Sequence, residues 1–193
     1  MKKLAVFFPG VGYTTDRPLL HYSMRIAAGQ GYEIKRIRYA GFPEKIKGDR
    51  KKMVEAFYIA LRQAEDMLAG VDLKAYDDIL FVGKSVGTIV AARIASESAA
   101  ADRIRLILYT PLEDTFRFSF GRAIAYTGAD DPWVGAKDSR IPQLCKERQI
   151  PCTVIGKADH SLESGNVQED IQNLQAIMEG TEAFVRSTGQ TAP

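Results

Sequence analysis

Histidine and cysteine are scarce in this chain. His21 and His160 are the only histidines, and Cys145 and Cys152 the only cysteines. Two cysteines cannot staple a disulfide framework, and no Cys/His cluster has zinc-binding spacing, so the sequence predicts no metal site and a reducing, cytoplasmic setting. Any chemistry that needs an imidazole must use one of two residues. An excess of one charge is also missing: 26 Lys and Arg face 24 Asp and Glu, a net charge of +2. That balance leaves no electrostatic footprint for nucleic acid. No uncharged apolar run approaches the ~18 residues a membrane helix needs. The opening apolar stretch before Pro9 is too short for a signal peptide and reads as a buried strand. Internal repeats and low-complexity segments are lacking too. What remains is 46% apolar and 26% charged over 193 residues, the composition of one soluble globular domain spanning 1–193. Its expected partner is a small molecule, with neither nucleic acid nor a membrane involved.

Short β-rich runs alternate with longer amphipathic ones, the signature of a parallel α/β sheet. Strands are predicted at 4–8, 32–39, 79–83, 104–109, 123–127 and 152–155. All but the second and last are nearly continuous apolar runs, as strands covered on both faces should be. Helices are predicted at 18–30, 51–69, 86–98, 137–148 and 167–183. Thr14, Thr15 or Asp16 can cap the first. The second carries Met53, Phe57, Leu61, Ala64 and Leu68 on one stripe and stops at Gly70. The third is small and apolar and should pack deeply. Pro142 interrupts the fourth, which can start only near Ile141. The fifth presents Val167, Ile171, Leu174 and Met178 on one face. The tail 187–193 is expected to fray.

The strand Ile79-Leu80-Phe81-Val82 runs into Gly83-Lys84-Ser85-Val86-Gly87, and a helix follows. This is G-x-S-x-G in its required strand–turn–helix setting. A serine on so tight a turn has its hydroxyl pushed out above the sheet, and the two glycines lack side chains that would collide there. A serine hydroxyl needs a base to become nucleophilic. His160 lies in Ala158-Asp159-His160-Ser161, between the last strand and the last helix, at the carboxyl edge of the sheet where open α/β sheets place their sites. His21 falls mid-helix between Leu20 and Tyr22 and reads as packing. An imidazole base needs a carboxylate to fix its tautomer. The strand at 123–127 ends in Gly128-Ala129-Asp130-Asp131-Pro132-Trp133, which offers two acids. The resulting order is serine, acid, histidine, each just after a strand.

With these residues the sequence resembles the α/β-hydrolase superfamily, most closely its small, lidless, dienelactone-hydrolase-like members. The resemblance runs from about Leu4 to Met178. It is specific at the Gly83–Gly87 elbow and at Ala158-Asp159-His160-Ser161, and a matter of pattern elsewhere. It implies a three-layer α/β sandwich with a six-stranded, mostly parallel sheet and helices on both faces, lacking the family's first two strands and its lid. In that family the acid stands three residues after the strand-ending glycine and before a proline, which selects Asp131 over Asp130. The implied catalytic residues are Ser85, Asp131 and His160, with no cofactor. The loop Phe8-Pro9-Gly10-Val11-Gly12-Tyr13 takes the place of the family's oxyanion loop, with Pro9 where His is usual. The backbone N–H groups of Val11 and Val86 would form the oxyanion hole. The implied activity is hydrolysis of a small carboxylic ester or thioester. Acyl transfer by the same triad, and a non-catalytic binding protein on a hydrolase fold, are the alternatives.

Other features carry less. Neither Gly83-Lys84-Ser85 nor Gly10-Val11-Gly12 completes a nucleotide-binding motif, since Asp78 and Thr15 occupy the missing glycine positions. Lys84 either attracts an anionic substrate or reaches solvent, and solvent is the expectation. Lys45, Lys47, Arg50, Lys51 and Lys52 read as a solvated helix start. Phe116, Phe118 and Phe120 read as packing in preference to an acyl pocket. Gly12, Lys84 and Trp133 are candidate pocket residues, and the two cysteines read as core. The segment 111–122 is too short for a lid domain, so the site should be open to small soluble esters.

Overall fold

Strands whose side chains are apolar on both faces must be covered on both faces, and the chain arranges itself accordingly. The computed structural model describes residues 1–187; most of the tail expected to fray, 188–193, lies outside the described residues. Strands β1 (Lys3–Phe8), β2 (Glu33–Arg36), β3 (Asp78–Lys84), β4 (Ile104–Tyr109), β5 (Ala123–Gly128) and β6 (Cys152–Ile155) form one sheet in the order β2-β1-β3-β4-β5-β6. Every pairing is parallel. Helices α1 (Pro18–Gly29), α2 (Arg50–Leu68), α3 (Val86–Glu97), α4 (Ile141–Glu147) and α5 (Val167–Arg186) cover it. No helix among the described residues is long and apolar enough to cross a membrane.

The two layers of core differ in composition. On one side Leu4, Val6, Phe8, Phe81 and Leu106 meet the small residues Ala91, Ala92 and Ala95 of α3, with α2 outside them. On the other, Ala5, Phe7, Leu80, Val82 and Ile107 meet Leu20 and Ala27 of α1 and Ile177 and Phe184 of α5. The strands' inward alternation thus serves both layers at once, which explains why β3 and β4 are buried along their whole length. At the end of the sheet away from Ser85, Arg105 donates to both Asp78 carboxylate oxygens at 3.1 Å and to Phe184 O at 2.6 Å, tying β3, β4 and the end of α5 together.

Several local expectations shift. The second strand is shorter than 32–39, because the chain leaves β1 after Ile37 N–H donates to Phe7 O at 2.9 Å. None of Thr14, Thr15 and Asp16 caps α1: Arg17 holds the N-cap position, while Thr15 and Asp16 are taken by the Arg36 guanidinium. Pro18 in the first turn supplies the helical φ instead. Helix α2 starts one residue early, capped by the Asp49 side chain, which accepts from the N–H groups of Lys51 and Lys52. Helix α4 begins at Ile141, with Pro142 in its first turn. On α5 the expected stripe fails at its start, where Val167 and Ile171 are exposed. The buried face is Ile177, Thr181, Phe184 and Val185, with Leu174 and Met178 partly buried against the same core.

Candidate active site

The turn after β3 places Ser85. Its backbone sits at φ 55°, ψ −124°, a sparsely populated region for a residue with a side chain, which costs on the order of 1–3 kcal/mol. Three hydrogen bonds hold it there: Ser85 N–H donates to Tyr109 O at 3.0 Å, and Ser85 O accepts from Thr88 N–H at 2.8 Å and from the Thr88 hydroxyl at 2.7 Å. The flanking glycines are sterically required. A Cβ on Gly83 would lie 2.8 Å from Gly87 O, and one on Gly87 would lie 2.5 Å from Pro9 O. The absent side chains let α3 start directly against β1 and its following loop.

Ser85 Oγ lies 2.7 Å from His160 Nε2, and His160 Nδ1 lies 2.7 Å from Asp131 Oδ2. A carboxylate only accepts, so the Nδ1 proton points at Asp131 and leaves Nε2 free to accept from the serine hydroxyl. Of the two adjacent acids, Asp131 is the one that reaches the imidazole. It is completely buried, and its second oxygen accepts from Trp133 N–H at 2.9 Å. Asp130 is exposed, with its N–H donating to Ala158 O at 3.0 Å. The loop carrying His160 is tied by Asp159, whose carboxylate accepts from Ser161 N–H at 2.6 Å and Glu163 N–H at 3.2 Å. Trp133 stacks on the imidazole at 5.3 Å between ring centres, 27° from parallel. His21 lies far along the chain on α1, half-buried against the Tyr22 ring.

The loop Pro9–Tyr13 packs onto the elbow: a Cβ on Gly10 would lie 3.2 Å from both Lys84 O and Ser85 Cβ. The loop is closed by Gly10 N–H donating to Tyr13 O at 3.0 Å, and the Tyr13 hydroxyl accepts from Leu19 N–H at 3.1 Å. Val11 N–H has no acceptor within the described residues. Val86 opens α3, so its N–H has no intrahelical acceptor either. Two free donors therefore stand on the two segments that flank Ser85.

A cavity of about 610 Å³ opens over Ser85. Gly12, Lys84 and Trp133, the expected pocket residues, all line it. So do Met53, Phe57 and Leu61 of α2, whose stripe is shared between core and cavity. Of the three phenylalanines, Phe118 lines the cavity while Phe116 is core and Phe120 packs beside it. Lys84 is a correction: far from reaching solvent, it is 1% exposed, with its ammonium 5.0 Å from the centre of the Tyr13 ring. A strand covered on both faces has no solvent side for its last residue to use. Lys47 and Arg50, expected to be merely solvated, stand at the cavity's mouth. Cys145 is buried and Cys152 half-buried, both unbridged.

Burial moves the titration of both basic groups beside Ser85. It pushes His160 below its ordinary value, against the pull of Asp131, and the Lys84 charge pushes the same way. Burial likewise lowers Lys84 to about 7, partly offset by the fields of Asp131, Asp159 and Glu163. The imidazole is thus held neutral near pH 7, the state in which Nε2 can take a proton. No group of three or more His, Cys, Asp or Glu able to hold a metal occurs among the described residues.

No protein family's sequence profile matches the chain, and no curated protein matches it. Solved structures do. An alpha-beta serine hydrolase homologue from Coxiella burnetii superposes with a TM-score of 0.63 at 15% identity, covering 93% of this chain and 84% of that one. A serine hydrolase without a lid from Xanthomonas campestris gives a TM-score of 0.60 at 16% identity, covering 96% and 84%. Est1E from Butyrivibrio proteoclasticus, with ferulic acid bound, gives 0.65 at 13% identity, covering 95% and 88%. These likenesses identify the architecture: a three-layer sandwich with the α/β-hydrolase fold.

Proposed function

We propose that this chain, built on the α/β-hydrolase fold, is a serine hydrolase that cleaves a small carboxylic ester or thioester through a Ser85 acyl-enzyme. The observation that carries the reading is the continuous contact from Asp131 through His160 to Ser85, 2.7 Å at each step. His160 Nε2 takes the Ser85 proton as Oγ bonds to the acyl carbon, and the carbonyl oxygen becomes an oxyanion facing the N–H groups of Val11 and Val86. Donors of this kind are typically worth ~3–4 kcal/mol in the transition state. The imidazolium, stabilised by Asp131, then gives its proton to the departing alkoxide or thiolate. A water molecule repeats the sequence on the acyl-enzyme: His160 takes its proton as the water oxygen bonds to the acyl carbon, and the Ser85 ester bond breaks as the imidazolium returns that proton to Ser85 Oγ, releasing the acid. All proton traffic runs through one imidazole, and no metal or organic cofactor enters a step.

The test is hydrolysis of 4-nitrophenyl acetate and of a short acyl thioester by the wild type and by Ser85→Ala. Turnover by the wild type and none by the variant, with its thermal unfolding unchanged, supports the reading. Equal rates from both proteins overturn it.

A further inference from the structure

The N–H that Val11 offers beside Ser85 stands at the tip of a turn with few supports. Val11 is 38% exposed, and Gly12 follows it at φ 71°. The turn closes through its two base residues: Gly10 N–H donates to Tyr13 O at 3.0 Å, and Tyr13 N–H donates to Gly10 O at 3.4 Å. The place of the tip relative to Ser85 therefore depends on what holds Gly10 and Tyr13. Both rest on Lys84. A Cβ on Gly10 would lie 3.2 Å from Lys84 O, so the Gly10 backbone packs against that carbonyl. The Lys84 ammonium lies 5.0 Å from the centre of the Tyr13 ring.

A lysine is costly in this place. Lys84 ends a strand that is buried along its whole length. Its side chain follows Leu80 and Val82 into the α1/α5 layer, where Tyr13, Leu19 and Tyr109 also pack. Asp131, Asp159 and Glu163 act on the ammonium through their fields, and burial outweighs them, lowering it to about 7. A leucine would help fill the layer without that desolvation. The neighbour that gains from an amine is the Tyr13 ring. A desolvated cation over a ring face is worth up to ~2 kcal/mol, and a neutral amine still directs N–H groups at it. Arg17 also approaches this ring, at 5.5 Å, but from the exposed rim, where such a contact is worth ~0.5–1 kcal/mol. The far end of Tyr13 is tied to α1, its hydroxyl accepting from Leu19 N–H at 3.1 Å.

We infer that Lys84 is a positioning residue of this site: through Gly10 and the Tyr13 ring it holds the Val11 N–H where the oxyanion of the Ser85 adduct forms. The inference rests on the serine hydrolase reading of Ser85 and adds a residue to that machinery. The ammonium acts through the loop and not on the reacting atoms. A donor that is slightly misplaced still lets an ester bind, because the ground-state carbonyl asks little of it. The same misplacement weakens the hold on the oxyanion, which exists only in the transition state and the tetrahedral intermediate. The signature of the role is thus a fall in kcat with little change in KM.

The test compares the wild type with Lys84→Leu, Tyr13→Leu and the double variant. The ester is 4-nitrophenyl butyrate, and the inhibitor is butyl trifluoromethyl ketone, whose Ser85 hemiketal carries an oxyanion in the same place. Rates are taken above each protein's acid limb, so a shifted His160 does not enter. Loss of a whole oxyanion donor costs about 10²–10³ in kcat; a loosened one should cost about tenfold. Each single variant should show that loss, a similar rise in Ki for the ketone, and KM within about threefold of wild type. The double variant should be no more than about threefold worse than the worse single one, since both changes sever the same support. Lys84→Met takes the place of Lys84→Leu if the latter does not fold. A lowered unfolding midpoint with kcat and Ki within about threefold of wild type in both single variants overturns the inference, as do losses that multiply in the double variant. If the wild type turns over no ester, the hydrolase reading has failed, and nitrogen-15 relaxation of the Val11 amide decides the positioning role. Its order parameter should fall from ~0.85 to below ~0.6 in Lys84→Leu and in Tyr13→Leu; an unchanged value in both overturns it.

Discussion

Replacing Asp131 by Asn changes one atom at the most buried point of the site, and its effect can be worked out from the two hydrogen bonds the carboxylate accepts. One oxygen takes Trp133 N–H at 2.9 Å and the other takes His160 Nδ1–H at 2.7 Å. An amide has one acceptor and one donor end. With its oxygen toward His160, its NH₂ would face the Trp133 N–H, leaving two donors opposed in a fully buried place at a cost of ~1–3 kcal/mol. The reverse orientation keeps the Trp133 bond and turns the NH₂ toward Nδ1. Nδ1 must then accept, the proton moves to Nε2, and Nε2 can no longer take the Ser85 proton. The amide therefore selects the unproductive tautomer, and the imidazolium loses its counter-charge as well. Losing a tautomer-fixing carboxylate in this way costs ~10³–10⁴ in turnover, about 4–5 kcal/mol of barrier. Asp130→Asn, on the exposed side of the same turn, should cost less than about tenfold. The assay is initial-rate hydrolysis of 4-nitrophenyl acetate by both variants at saturating ester. Asp131→Asn within tenfold of wild type, or Asp130→Asn as the more damaging change, would refute the reasoning.

Four further outcomes follow from the same geometry. His160→Ala should lose at least ~10³-fold in turnover while His21→Ala loses little; the opposite ranking in the same assay would assign the base to α1. Since the base works when neutral and His160 titrates below its ordinary value of 6.5, kcat/KM should rise through an acid limb below pH 6.5 and level off above it. Lys84→Met removes a cation that lowers His160, so the limb should move to higher pH; a limb that stays put or moves down contradicts that coupling. Gly87→Ala would drive a methyl into the backbone carbonyls of Phe8 and Pro9, neither able to yield cheaply, so urea unfolding should show a loss of about 1–3 kcal/mol or more, and an unchanged midpoint would mean the elbow is looser than drawn.

The parts of this molecule legible in its sequence are those whose physics is local. The Ser85 elbow needs only a strand, two glycines and a helix in succession. The choice of Asp131 over Asp130 comes from the resemblance to α/β-hydrolases, which places the acid three residues after the strand-ending Gly128 and before Pro132. The alternation of strands and helices was sufficient for a parallel sheet. What escaped depends on distant partners. The stripe on α2 is the same whether its residues face core or cavity, and only the position of the elbow decides that Met53 and Phe57 face the cavity while Ala64 and Leu68 face the core. Lys47 and Arg50 look like any charged helix start until α2 is laid across the mouth of the site. Val167 and Ile171 share a face with Leu174, but periodicity cannot say where along a helix packing begins. Lys84 carried a usable signal, because it directly follows a run that is apolar on both faces, but the predicted strand 79–83 stops one residue short of it whereas the observed one includes it.

The central claim is that Ser85 is an activated nucleophile, and covalent capture tests it without reference to any substrate. The intact protein is incubated with a fluorophosphonate at pH 7.5 and its mass measured, followed by peptide mapping. The account predicts one adduct per chain, on the peptide containing Gly83-Lys84-Ser85-Val86-Gly87, formed quickly in the wild type, slowed at least a hundredfold or so in His160→Ala, and absent in Ser85→Ala. An unmodified wild-type protein, or an adduct that persists in Ser85→Ala, would contradict it.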